Sequence, residues 1–127
     1  MMFLAGLIPY LAKKLPKLTI DKTHLFIVNG SYKDGYLDYT ARLLFLDCRS
    51  EPIIILSTIK KWLRENHRHN DANGNEIELS FNCELVDADT FDLEIDFPQR
   101  DKINLNDDGY TICKHHIWDE QLGFIQK

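Results

Sequence analysis

Acidic side chains recur at every second position in the last third of the chain, and they are the residues best placed to carry chemistry. Asp92, Glu94 and Asp96 alternate with apolar residues through Phe91–Phe97. Successive side chains of a strand point to opposite faces, so the carboxylates would line one face and the apolar side chains the other. Hard cations need oxygens that converge from several segments, whereas a strand sets them in a row. The pattern therefore predicts a negatively charged surface that faces water or a basic partner.

Other patterns that could indicate a metal or catalytic site are incomplete. The loop Asp71–Asn75 resembles part of a calcium-binding loop, but it lacks a first acid in register with Gly74 and a terminal bidentate glutamate. His115 and His116 are adjacent, so in a strand they would face opposite sides and could not share a zinc ion. The chain has no nucleophile elbow and no phosphate-binding glycine loop. The sequence therefore predicts no catalytic residue, no metal site and no cofactor.

Basic side chains are concentrated in the first quarter of the chain, far along the sequence from the acidic alternation. This asymmetry suits head-to-tail packing, in which the basic side of one copy meets the acidic side of the next. Two plain solvated faces explain it equally well, and the early basic residues could instead contact DNA held inside an assembly. Near the C-terminus a tryptophan beside charged residues is a candidate anchor for a subunit contact. The predicted interface residues are Asp92, Glu94, Asp96, Lys13, Lys14, Lys17 and Trp118.

Length and composition limit the classes of protein that this chain can belong to. We expect a single domain over residues 1–127, with a net charge of −5 that disfavours sequence-independent binding to free nucleic acid. Three widely spaced cysteines do not form a disulfide framework, which fits a reducing cytoplasm. The apolar start lacks a basic leader and is too short to span a bilayer, so we expect no membrane association.

Periodicity predicts the elements that would position these residues. A short amphipathic helix should end at Pro16, and a strand at His24–Val28 should be closed by a turn at Asn29-Gly30. Lys33–Gly35 predicts a second turn before a long strand at Tyr36–Asp47. A second helix should begin at Pro52 after a Ser50 cap, with an apolar stripe of Ile55, Leu56, Ile59, Trp62 and Leu63.

The rest of the chain predicts a hairpin and one further strand. Alternation from Ile77 to Cys83, a turn at 87–89 and the acidic strand together indicate two antiparallel strands. A polar loop should follow Pro98, and a final strand should lie at Tyr110–Trp118. The order of elements favours an α+β fold with a mostly antiparallel sheet of four to five strands and two helices packed on one face.

Six blocks in this order resemble one phage family, the tail completion protein R (GpR) family of contractile-tailed peduovirus-type phages and related prophages. The resemblance extends over Leu4–Asp108. The blocks are Ile8–Leu11, Pro16–Leu18, Phe26–Gly30, Tyr36–Leu46, Trp62–Asn66 and Asp87–Ile95.

The resemblance implies a non-catalytic structural protein of the virion tail, assembled in the bacterial host cytoplasm and similar in element order to tail terminators. It implies a homohexameric ring that caps the finished tube and sheath and helps to form the head-joining surface. The implied partners are the tube, the sheath, a second completion protein and head–neck proteins, without specific nucleic acid. The family brings no catalytic or binding residues to this sequence. The alternatives are a cytoplasmic protein-binding adaptor and a small carboxylate-dependent hydrolase.

Overall fold

The computed structural model describes residues 2–106 and 109–112, with side chains from Leu4 to Asn104. A 3₁₀ turn at Met2–Gly6 leads into the first helix, and a second 3₁₀ turn at Ile20–Lys22 precedes the first strand. Neither helix of the described part has the length and apolar character needed to cross a membrane. The main elements are α1 (Leu7–Lys14), β1 (Thr23–Lys33), β2 (Tyr36–Cys48), α2 (Pro52–Glu65), β3 (Ser80–Leu85), β4 (Phe91–Asn106) and β5 (Gly109–Ile112).

The first helix forms where its leucine spacing predicts it. Leu7 and Leu11 are fully buried on one side, and Leu4 and Leu15 continue that stripe beyond both ends. Pro9 lies in the first turn, where its missing N–H removes no intrahelical hydrogen bond. Its position explains why α1 begins as a new helix after the 3₁₀ turn and does not continue that turn.

The first hairpin differs from the expectation at one of its two turn signals. Asp34 and Gly35 form the two-residue turn with φ values of 56° and 80°, as the backbone of a tight hairpin requires. The turn predicted at Asn29-Gly30 is wrong, because β1 continues through both residues with a bulge between Ile27 and Asn29. Gly30 instead allows close packing: a Cβ there would lie 3.1 Å from the carbonyl oxygen of Asp38.

The sheet is antiparallel throughout, with the order β1-β2-β4-β3 and with β5 paired to the far end of β4. The polar loop predicted after Pro98 is wrong, because β4 runs on through Pro98 to Asn106. β3 pairs with β4 only as far as Asp96, so at Pro98 a single side of the strand is paired and a residue without an N–H is tolerated. β5 accounts for the start of the predicted final strand, whose remainder lies outside the described residues.

The helices cover one face of this sheet, which confirms the predicted α+β class. Most of the predicted α2 stripe is buried there, and Leu56 is partly buried. The predicted Ser50 cap is wrong: Pro52 is the first helical residue, so Glu51 takes the cap position, without a side-chain hydrogen bond. The predicted β3 start is also too early, since Ile77 packs into the core from the preceding loop. The central strands contribute Tyr39, Ala41, Leu43, Phe45, Leu93, Ile95 and Phe97 to the core.

Candidate interaction surfaces

The acidic row lies on the face of the sheet opposite to the helices, as the alternation predicts. Asp92, Glu94 and Asp96 are half-buried, while Leu93 and Ile95 between them are fully buried in the core. The row therefore projects from a rigid central strand that is paired on both sides along this stretch.

Arg42 of β2 occupies the centre of the acidic row, a contact that the local pattern did not reveal. Its Nε and Nη2 donate to the two carboxylate oxygens of Asp96 at 2.8 and 2.9 Å, and Nε lies 3.4 Å from Glu94. The hydrogen bonds to Asp96 raise the pKa of the Arg42 guanidinium. Asp92 accepts the backbone N–H of Asp47 at 3.0 Å. Two of the three predicted acids thus already have a cationic partner within the chain.

The edge strand β3 enlarges this surface with a further carboxylate. Glu84 stands directly opposite Asp92, and Asn82 donates to Glu94 at 3.4 Å. Like charges opposite each other across a strand pair repel, so the Glu84–Asp92 end of the surface would gain from a basic partner. We call the set of Glu84, Asp92, Glu94 and Asp96 the acidic surface, which carries four carboxylates against the guanidinium of Arg42.

The predicted basic residues lie on the opposite side of the molecule. Lys13 and Lys14 occupy the last turn of α1, Lys17 follows it, and all three are exposed. Lys14 also lies over the ring of Tyr10, with Nζ 5.6 Å from the ring centroid. Because the helices pack on the other face of the sheet, one copy does not bring these lysines to its own acidic surface. Trp118 lies outside the described residues.

A polar cleft of about 420 Å³ opens where the loop after α2 meets β4. Four of its charged side chains form two ion pairs: Arg100 Nε donates to Asp38 at 2.7 Å, and Arg68 contacts Asp101 at 2.8 Å. Burial works against ionisation of Asp101, yet adjacent positive charge, including the Arg68 guanidinium, holds the pKa of its carboxyl below the ordinary value. The Arg68–Asp101 pair stabilises the loop, and these four charged groups are committed to one another.

Residues suited to binding a metal do not come together in the described part of the chain, where no group of three or more His, Cys, Asp or Glu side chains could hold an ion. Trp62 belongs to the core, as its place on the α2 stripe predicts. The arrangement offers charged and apolar surfaces for binding.

The geometry alone does not identify the protein's family, but a comparison with protein-family models does. The model of the P2 phage tail completion protein R (GpR) matches residues 1–120. The chain belongs to this GpR family. Members are structural proteins of the phage tail, a class that is typically non-enzymatic, and they act together with other tail components. No curated protein and no solved structure was found to match the chain. The family resemblance stated from the sequence blocks is thereby confirmed.

Proposed function

We propose that the chain, working as a single domain, is a tail terminator that caps the finished tail tube and sheath and helps to form the surface for head joining. The observation that carries this proposal is the GpR match over residues 1–120 of the 127-residue chain. A protein that completes a tail must bind the end of a polymer and prevent further addition. Binding alone achieves this, so the mechanism requires no reaction.

The cap would be a homohexameric ring built from one repeated head-to-tail contact, in keeping with a six-fold tail. A contact of this kind joins two different surfaces of each copy. The acidic surface and the exposed lysines Lys13, Lys14 and Lys17 lie on opposite sides of the sheet and carry opposite charge. Electrostatic complementarity of this kind guides orientation and speeds association. Trp118 remains a proposed anchor of the same contact.

Within the acidic surface, the end formed by Glu84 and Asp92 is the better candidate for a partner's cations. Arg42 already neutralises much of the charge of Asp96 and Glu94. Removing an acid that is paired within the chain would disturb the fold as well as any interface. Asp92 accepts a backbone hydrogen bond from Asp47, so variants at Glu84 separate binding from folding more cleanly.

The proposed partners are the tube, the sheath, a second completion protein and head–neck proteins, met in the bacterial host cytoplasm during assembly. Specific nucleic acid and membranes have no part in the proposal. The polar cleft brings Asp38, Asp71 and Asp101 together from separate segments, but Asp38 and Asp101 are each paired with an arginine, so the cleft does not favour the hydrolase. No observation on the described residues favours the unrelated cytoplasmic adaptor.

The test is reconstitution of tails that lack their terminator, imaged by negative-stain electron microscopy. Wild-type protein should give tails of uniform length with a capped end. Overlong, bare tails in the presence of folded protein would contradict the proposal. A Glu84→Lys variant should cap poorly, whereas Glu65→Lys, at the exposed end of α2, is the matched control for added charge and should cap normally.

A further inference from the structure

Both outer strands of the sheet have a side without a partner in the described part of the chain. β1 pairs with β2 alone, and β3 pairs with β4 alone. Unpaired N–H and C=O groups along an edge are a template for pairing with another chain, and proteins usually protect them with charges, proline or short length.

The β1 edge is long and carries few such protective features. It spans Thr23–Lys33, and from Thr23 to Tyr32 it contains no Asp, Glu, Lys, Arg or Pro. Phe26, Ile27 and Val28 are all exposed in its middle, and its one irregularity is the bulge after Ile27. An apolar edge of this length favours pairing with another strand.

The β3 edge exposes apolar side chains on the face of the sheet that carries the core. Phe81 and Leu85 stand opposite Ile95 and Phe91, yet they are 51% and 75% exposed. On β1, Ile27 stands opposite the buried Ala41 and is 41% exposed. The helices thus leave core-side apolar groups uncovered at both edges, on the same face. Joining the two edges would bury them in one continuous core.

Strand direction decides which edges can join in a ring. Three successive antiparallel pairings separate β1 from β3, so these two strands run in opposite directions within one copy. Rotation about an axis roughly parallel to the strands keeps their directions and keeps the helices on one side. Under that rotation β3 of one copy meets β1 of the next in antiparallel orientation. A two-fold β1–β1 contact would instead leave every β3 edge bare.

We propose that β3 of one copy pairs with β1 of a second copy, so that the sheet continues from subunit to subunit. No like charges oppose this pairing, because β1 carries no acid and β3 carries no basic residue. The proposal rests on the proposed function for the ring, but it places the edge strands in the contact between copies. With the helices of all copies on one side, the acidic surface and the lysines face other tail proteins and not each other. The edges themselves are properties of the fold.

Cysteine cross-linking tests this pairing directly, because β3 already carries the exposed Cys83 on its core-side face. In a Cys113→Ser background, Thr23→Cys or Leu25→Cys places a thiol on the same face of β1, level with Cys83 or two residues from that level. Oxidation with copper–phenanthroline, of concentrated protein and of protein bound to tails, should give a disulfide-linked ladder that closes at the ring size. The ladder should disappear when Cys83→Ser is added. Absence of the ladder in both settings would overturn the pairing.

Charge variants test the same contact without new thiols. Phe81→Lys should weaken self-association in sedimentation velocity by about tenfold or more, because an ammonium group would be buried against apolar side chains. Phe81 and Leu25 lie level with each other, since Phe81 pairs with Ile95, Ile95 with Leu43 and Leu43 with Leu25, so adding Leu25→Glu should restore association. Ile53→Lys, at a 66% exposed position of α2, is the matched control and should associate like wild type. Equal loss in the control, or no loss in Phe81→Lys, would overturn the pairing.

The cross-linking experiment tests the edge pairing and the capping assay tests the terminator function, so a negative result in one does not decide the other. Capped tails without a Cys83 ladder would overturn edge pairing and leave the terminator function standing. A closed ladder on tails that stay overlong would support the pairing and overturn the terminator function.

Discussion

Arg68 and Asp101 form an ion pair that is almost wholly withdrawn from solvent, with Nη1 and Oδ1 2.8 Å apart and side chains only 9% and 0% exposed. Tyr39 donates its hydroxyl hydrogen to the other oxygen of Asp101 at 3.1 Å. Gln99 accepts from Arg68 Nη1 at 3.1 Å and donates to the Arg68 carbonyl at 3.2 Å. This network holds the loop after α2 against β4.

Breaking this buried ion pair should lower the stability of the protein. Arg68→Ala leaves the Asp101 carboxylate without its guanidinium partner, so we expect a loss of about 3–5 kcal/mol in the free energy of unfolding, measured by urea denaturation. Arg64→Ala removes the exposed contact of Arg64 with Glu76 and is the matched control, with a much smaller expected loss. Equal losses in the two variants would contradict the importance of burial.

The fall in the free energy of unfolding at acidic pH should depend on Asp101. Its folded-state pKa is lowered, so the carboxylate contributes stability above the unfolded-state value of about 4 and loses that contribution as the pH falls through the folded-state pKa. The free energy of unfolding should therefore drop more steeply below about pH 4 in wild type than in Asp101→Asn. Urea denaturation at a series of pH values measures this, and parallel curves would refute it.

A side chain at position 30 should lower the stability of the protein. A Cβ at this position would lie 3.1 Å from the Asp38 carbonyl oxygen and 3.2 Å from the Tyr39 Cβ, so the β1–β2 pairing would have to shift. We expect Gly30→Ala to destabilise the protein by about 1–3 kcal/mol in urea denaturation, as overpacking does elsewhere. Asn29→Ala, at the preceding exposed position, is the control and should change the urea midpoint little. An unchanged midpoint in Gly30→Ala would show that the strands separate without cost.

The contribution of the contact between Arg42 and the acidic surface to stability should depend on salt concentration. Arg42→Ala leaves Asp92, Glu94 and Asp96 to repel one another, so stability should fall at low ionic strength and recover partly at high salt, where exposed charges are screened. The loss should shrink when Asp96→Asn is already present, which a double-mutant cycle measures. A loss that is the same at every salt concentration would indicate a packing effect of the arginine stem.

Local pattern predicted the faces of the central strands. Polar and apolar residues alternate with the two-residue period of a strand, so the burial of Leu43 and Leu93 and the outward position of Asp92 followed from the sequence alone. The leucine spacing of α1 and the Asp34-Gly35 turn were likewise predictable. Each depends on neighbours only a few residues away, which the linear order of residues contains.

Pairing between distant segments was decided by the tertiary structure. Arg42 and Asp96 are 54 positions apart and meet because β2 and β4 are neighbours in the sheet. The same long pairing between β2 and β4 keeps Pro98 within β4, although proline locally disfavours a strand. The outer position of β1 and β3 likewise depends on strand order. Sequence alone determined which faces are apolar and which are charged. Only the fold decided which of those faces are covered, because pairing partners are chosen by the whole sheet.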